Sequence, residues 1–233
     1  MTKPKQIIFS TLFLFILLVS FNGKSLPSDY SGKAFKTPVL QEDHQVIPGI
    51  IQCEYFDKGG EGIAYHDMDA TNNGSGNLNK GTDSLSTFRL DEGVDISFTK
   101  FYDSIDNSAF NFVQPKENQL YVGWTEPGEW INFTVEVKKT GLYKVGMMYT
   151  SNGNGQISFS VNGEDKTGPI DIVSTHVDAD PLQWRQWHHW NYMENIAEIR
   201  MEKGLQVLTL HTVTNGQMNY DFISFDHKVL IVT

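Results

Sequence analysis

Ile131-Asn132-Phe133-Thr134-Val135-Glu136-Val137-Lys138 alternates apolar with polar side chains, and successive side chains of an extended chain point to opposite faces. The stretch therefore reads as a strand with one face in a core and the other toward water. Lys139-Thr140-Gly141 supplies a turn, and a second strand-like run follows from Leu142 to Thr150. After the loop Ser151-Asn152-Gly153-Asn154-Gly155, the residues Ile157, Phe159 and Val161 alternate with serines up to Asn162-Gly163, a hairpin signal. Leu205 to His211 and Tyr220 to Val232 read the same way, and no stretch carries a helical period beyond two turns. Short strands at this spacing predict an all-β fold, a two-sheet antiparallel sandwich.

Outward from that centre the chain divides into three. Lys3 and Lys5 precede an apolar run from Ile7 to Val19, followed by Ser20, Phe21, Asn22 and Gly23. This predicts a signal peptide over residues 1–23 and a secreted protein, extracellular or periplasmic. The run is short for a bilayer span, and no second apolar segment follows. The only cysteine, Cys53, lies far from the position a lipid anchor would need, so the mature chain is expected to be soluble and without membrane insertion. A Pro/Ser/Lys-rich linker over 24–45 and one module over 46–233 complete the division.

A single cysteine allows no internal disulfide, so stability must come from the core, a metal, or both. The formal net charge of -10, without a basic cluster in the mature part, argues against nucleic acid or an anionic membrane as partner. Aromatic residues make up 12% of the chain, and several sit in polar, turn-rich contexts, as on an exposed binding surface. Two segments, Gly59 to Gly93 and Pro181 to Tyr192, do not read as simple strands. Long irregular segments on a rigid scaffold are where function concentrates.

Six motifs occur in order: Ile51-Gln52-Cys53-Glu54-Tyr55-Phe56-Asp57, Gly60-Glu61-Gly62-Ile63-Ala64-Tyr65-His66-Asp67, Arg89-Leu90-Asp91-Glu92-Gly93-Val94-Asp95-Ile96, Val122-Gly123-Trp124-Thr125-Glu126-Pro127-Gly128-Glu129-Trp130, Trp184-Arg185-Gln186-Trp187, and Met218-Asn219-Tyr220-Asp221-Phe222-Ile223-Ser224-Phe225. In these the chain resembles family 6 of the carbohydrate-binding modules, with family 35 as near neighbour. The resemblance implies a jelly-roll-like, galactose-binding-domain-like sandwich, monomeric and non-catalytic, that binds a polysaccharide or oligosaccharide in loops at one end. It further implies that Trp124 and Trp184 flank the sugar and that Asn219 hydrogen-bonds its hydroxyls. A structural calcium would be held by Gln52, Glu54 and Asp221, with Gln52 standing where the family more often has glutamate.

Chemistry supports the same positions. A pyranose presents an apolar face of C–H bonds that an aromatic ring can cover while the hydroxyls stay free for directional bonds. Asn219 offers both a donor and an acceptor to them. Trp130 and Trp187 fall beside strand patterns and read as packing, whereas Trp190 has no assignment. Strand parity puts Gln52 and Glu54 on one face of a first strand, with Ile51, Cys53 and Tyr55 on the other. Parity also puts Asp221 with Ile223 and Phe225, and Met218, Tyr220 and Phe222 opposite. A strand apolar on both faces is buried, so Asp221 needs a partner, and a hard oxygen site suits calcium.

Cys53 reads as a buried thiol, and His188-His189 face opposite ways, unlike a transition-metal pair. The expected activity is therefore binding without catalysis, the ligand a neutral plant or algal wall β-glycan such as xylan or a β-glucan. Two alternatives stay open: a surface adhesion or assembly module, and a glycoside hydrolase using Glu126 with Glu129 or Asp67 with Asp69.

Overall fold

The computed structural model describes residues 25–38, 40 and 43–228, so the leader read over 1–23 lies outside the described residues. Among the described residues the strands are β1 (Gln45–Ile47), β2 (Gly49–Gln52), β3 (Tyr65–His66), β4 (Ile96–Phe98), β5 (Leu120–Val122), β6 (Trp130–Val137), β7 (Gly141–Ser151), β8 (Gly155–Val161), β9 (Glu164–Asp165), β10 (Ile170–Ile172), β11 (Asn191–Met201), β12 (Gly204–Thr214) and β13 (Met218–His227). One sheet runs β1-β6-β12-β8-β10, with β3 beside β6 and β9 beside β8. The other runs β11-β7-β13-β5-β4, with β2 also beside β13. The fold is the expected two-sheet β-sandwich. One pair departs from antiparallel order: β1 lies parallel to β6. Among the described residues no helix is long and apolar enough to cross a membrane.

The alternation along β6 sends Phe133, Val135 and Val137 into the core. They meet Val145, Met147 and Tyr149 of β7, Leu208 and Leu210 of β12, and Ile223 and Phe225 of β13. Each fully buried side chain of this size contributes about 1.5–3 kcal/mol relative to exposure.

Two parity readings are corrected. The expected first strand stops at Gln52, and Cys53–Tyr55 form a 3-10 turn, so Gln52 and Glu54 do not share a strand face. Cys53 is buried as expected, whereas Tyr55 leaves its side and stacks on Phe35 with ring centroids 5.4 Å apart. Gln45 fixes the turn: its Oε1 accepts the Gln52 amide at 2.7 Å and its Nε2 donates to the Gln52 carbonyl at 3.1 Å.

In β13 the register against β7 shifts between Tyr220 and Phe222, leaving Asp221 as the extra residue of a bulge. Met218 and Tyr220 therefore join Ile223 and Phe225 in the main core, and Phe222 turns to a smaller cluster of Tyr121, Met148 and Trp190. The bulge coincides with a change of partner: Tyr220 pairs with Val122 of β5, and Phe222 with Gln52 of β2.

The described part of the segment read as a linker packs on the sandwich. Lys33 and Lys58 exchange backbone hydrogen bonds of 2.8 and 2.7 Å, and the Tyr30 hydroxyl donates to Asp57 at 2.5 Å. The Arg89 guanidinium lies over the rings of Phe35 and Phe56.

Candidate functional site

The end of β5, the end of β7 and the starts of β11 and β13 come together at one end of the second sheet, because Val122 pairs with Tyr220, Thr150 with Asn219, and Asn191 with Tyr149. The irregular segments converge over that end. They enclose a cleft of about 300 Å³ whose lining includes Trp124, Trp184, Trp187, Tyr102, Tyr121, His188 and Asn219.

Trp124 follows β5 in the left-handed region, φ 51°, a conformation that costs a bulky residue energy unless its surroundings hold it. The next residue supplies the hold. Thr125 Oγ1 donates to the Met218 carbonyl at 3.0 Å and accepts the Met218 amide at 3.1 Å, tying the loop to the start of β13. The ring is left 37% exposed.

Trp184 sits in the 3-10 turn Gln183–Arg185 and is 55% exposed. Beneath it the buried Asp180 carboxylate receives Arg185 Nε at 2.6 Å and Nη2 at 2.9 Å, the Leu182 amide at 2.9 Å, and bonds His189 Nε2 at 2.8 Å. The Arg185 hydrogen bonds hold Asp180 well below the usual carboxylate range, with Leu182 and His189 adding to them against the opposing effect of burial. Arg185 Nη1 also reaches the Ser104 carbonyl at 2.5 Å, joining this turn to the segment that carries Tyr102. A charged pair this well satisfied fixes loop geometry.

Asn219 is buried at the floor of the cleft, and here an expectation is corrected. Its Nδ2 donates to Thr150 Oγ1 at 2.8 Å and bonds His188 Nδ1 at 2.9 Å, so both donor hydrogens are used inside the protein. Its Oδ1 takes a long bond of 3.4 Å from the Trp124 amide. A ligand therefore meets an acceptor at Asn219 and no donor.

Trp187, read from sequence as packing, lines the cleft, as does the 61% exposed Tyr102. The available signal was spacing: Trp187 follows Trp184 by three residues in the same irregular segment, two residues past the 3-10 turn Gln183–Arg185. Trp130 does pack, half-buried with its ring 6.4 Å from that of His66. Trp190 is fully buried and donates to Asp106 at 2.8 Å.

Trp124 and Trp187 also border a second cleft of about 420 Å³ that contains Asp67, Asp69, Asp95, Glu126 and Glu129. Glu129 accepts the Glu126 amide at 2.8 Å and the Met68 amide at 3.2 Å. Desolvation nevertheless pushes Glu129 up to about 8, with Asp67 and Glu126 adding like charge. Desolvation also raises Asp67 to about 7 and Asp95 to about 6.

Gln52 Oε1, Glu54 Oε2 and Asp221 Oδ2 are buried oxygens without a hydrogen-bond partner. Burial raises Glu54, with Asp221 adding like charge, and pushes Asp221 up to about 8 although Gln119 Nε2 donates to its Oδ1 at 2.5 Å. Three orphaned oxygens, two from carboxyls and one from an amide, suit a hard cation. No cluster of three or more His, Cys, Asp or Glu with metal-holding geometry occurs among the described residues. The histidine pair is otherwise engaged, His188 with Asp106 and Asn219, His189 with Asp180 and the Thr175 carbonyl.

A sequence model of carbohydrate binding module family 6 matches residues 102–227. No curated protein matches the chain. Similar solved structures include a family 35 module from Clostridium thermocellum, 21% identical over 51% of this chain and 84% of that one, TM-score 0.40. A β-1,3-glucan-binding family 6 module from Bacillus halodurans is 11% identical over 78% and 98%, TM-score 0.45. A family 6 module of Cellvibrio mixtus lichenase 5A, solved with cellotriose, is 16% identical over 59% and 88%, TM-score 0.40.

Proposed function

Since the chain belongs to carbohydrate-binding module family 6, we propose that it is a secreted, monomeric, non-catalytic module spanning 46–233 that grips a neutral polysaccharide or oligosaccharide, a wall β-glycan such as xylan or a β-glucan. The observation that carries this reading is the convergence of Trp124, Trp184 and Trp187 over Asn219 on one cleft. The exposed rings offer stacking faces for the apolar side of a sugar, and Asn219 Oδ1 accepts a bond from a hydroxyl. Those carboxyl groups of the adjoining cleft that are ionised at neutral pH favour a neutral chain over a uronate or sulfated one, because like charge near the binding surface repels it. An array carrying neutral and acidic glycans tests the proposal: retention of neutral β-glycans, lost in Trp184→Ala, supports it. Retention of acidic glycans alone, or binding unchanged in both Trp124→Ala and Trp184→Ala, overturns it.

We also propose a structural calcium ion, with Gln52, Glu54 and Asp221 as its ligands. Their orphaned oxygens support this, and the charge of a bound cation would stabilise the two carboxylates in their ionised form. Export through the leader over 1–23 completes the proposal, resting on the lysines and apolar run of that segment.

One observation favours a second reading. The carboxyls named from sequence, Glu126 with Glu129 and Asp67 with Asp69, gather beside Trp124 and Trp187, and Glu129 is held protonated near neutrality as a general acid would be. Release of reducing sugar from the bound glycan, abolished in Glu129→Gln, would establish hydrolysis. Its absence from a glycan that binds would leave the binding module.

A further inference from the structure

Asn219 reaches the cleft at the end of a buried relay. Asp106 Oδ1 lies 2.7 Å from His188 Nε2, and His188 Nδ1 lies 2.9 Å from Asn219 Nδ2. All three residues are buried. Asp106 also accepts Trp190 Nε1 on the same oxygen at 2.8 Å and the Lys100 amide on Oδ2 at 2.7 Å. Burial pushes Asp106 up, but the hydrogen bond and charge interaction with His188, with the bonds from Lys100 and Trp190 adding to them, outweigh it and hold its carboxyl below the usual range. It is therefore an acceptor.

An ionised carboxylate at 2.7 Å calls for a proton on His188 Nε2, and the Trp124 amide on Asn219 Oδ1 turns Nδ2 toward His188 Nδ1 at 2.9 Å, which calls for a lone pair there. That lone pair faces Asn219. If the Asn219 amide were turned over, its oxygen would face the Nδ1 lone pair, and its NH2 would face the Trp124 amide hydrogen, so both contacts would become repulsive. The neighbours thus decide the amide's orientation.

Resting on the binding role proposed above, we propose that His188, held by Asp106, is a positioning residue. It locks Asn219 so that only the amide oxygen faces the cleft, and the site selects ligands that present a hydroxyl as donor at that point. His188 sets recognition through Asn219, although its ring also lies along the cleft wall.

Two arms test this. In the ligand-free protein labelled with 15N-histidine, long-range proton–nitrogen spectra should show His188 protonated at Nε2 and bare at Nδ1, and the Asn219 side-chain amide protons should show contacts to His188 and Thr150. In His188→Asn an amide oxygen takes the place of Nδ1, and in His188→Leu no acceptor remains. Titration of xylohexaose or laminarihexaose, whichever the wild type binds, should give an affinity within about threefold of wild type for the first and at least about tenfold weaker for the second. A His188 protonated at Nδ1, a folded Leu variant that binds like wild type, or equal losses in both variants would overturn the assignment. If the wild type binds neither hexaose, the proposed function fails, and the spectra of the ligand-free protein still decide whether His188 orients Asn219.

Discussion

A Cβ added at Gly123 would lie 2.8 Å from Asn219 Oδ1, closer than real Cβ atoms approach, and 3.2 Å from the Tyr121 ring. The amide cannot step aside, because Thr150 and His188 hold its other end. Gly123→Ala should therefore push either Asn219 or the Trp124 loop out of place, at a cost of about 1–3 kcal/mol in stability. Glycan affinity should fall at least about tenfold. Calorimetry and titration of the purified variant check both; an unchanged affinity would show that the cleft floor is softer than its hydrogen bonds indicate.

Trp184 and Trp187 should separate binding from stability. Trp184 is exposed, so Trp184→Ala should change stability by less than about 0.5 kcal/mol while weakening glycan binding by about 10–100-fold. Trp187 is half-buried between two clefts, and Trp187→Ala should lower both affinity and melting temperature. Equal melting losses in the two variants would contradict the assignment of Trp184 as a free platform.

Calcium removal should lower the melting temperature. A ligand bound only by the folded chain stabilises it by about 3 kcal/mol at a hundredfold excess over its dissociation constant. Chelation should reverse that gain, and Glu54→Gln or Asp221→Asn should make melting indifferent to calcium. Metal analysis together with melting curves with and without chelator reads the result. A wild type that melts alike in both and carries no calcium would leave the three orphaned oxygens without an ion.

The second cleft predicts a slope against pH. Glu129 is raised to about 8, above the ordinary carboxylate value of about 4.3, so as pH rises the unfolded chain gives up this proton before the folded one does. The contribution is fully present below the unfolded pKa and is lost as pH climbs through the folded one. Stability should thus decline between about pH 4 and pH 8, and Glu129→Gln should flatten that decline. Parallel wild-type and variant profiles would exclude Glu129 as a source.

The alternation in β6 was enough to find the sandwich, because apolar residues facing a core recur every two residues along a strand. Its polar face does not meet water as expected: Asn132 and Thr134 are buried, bonded to the Ile63 carbonyl and Asp57. Parity failed where the backbone left that repeat. A 3-10 turn at Cys53–Tyr55 moved Tyr55 out of the core, and one extra residue at Asp221 placed Met218 and Tyr220 with Ile223. Nothing local marks either event, since the bulge arises where β13 exchanges β5 for β2 as its neighbour. At the cleft, Trp124 and Trp184 were recognisable as residue types in loops, and Asn219 as an amide at the start of the last strand. Trp187 was passed over because it falls beside a strand pattern, and the loss of Asn219's donors depends on His188, which lies 31 positions earlier in the chain.

A single residue, Tyr220, separates Asn219 from Asp221 along β13, a reach of about 7 Å in an extended chain. The glycan and the cation would then share one short piece of backbone. Coupling between two such sites is reciprocal: if calcium raises glycan affinity by some factor, glycan raises calcium affinity by the same factor. With such coupling, release of the glycan would loosen the metal, and a calcium-poor medium would favour letting go of the sugar.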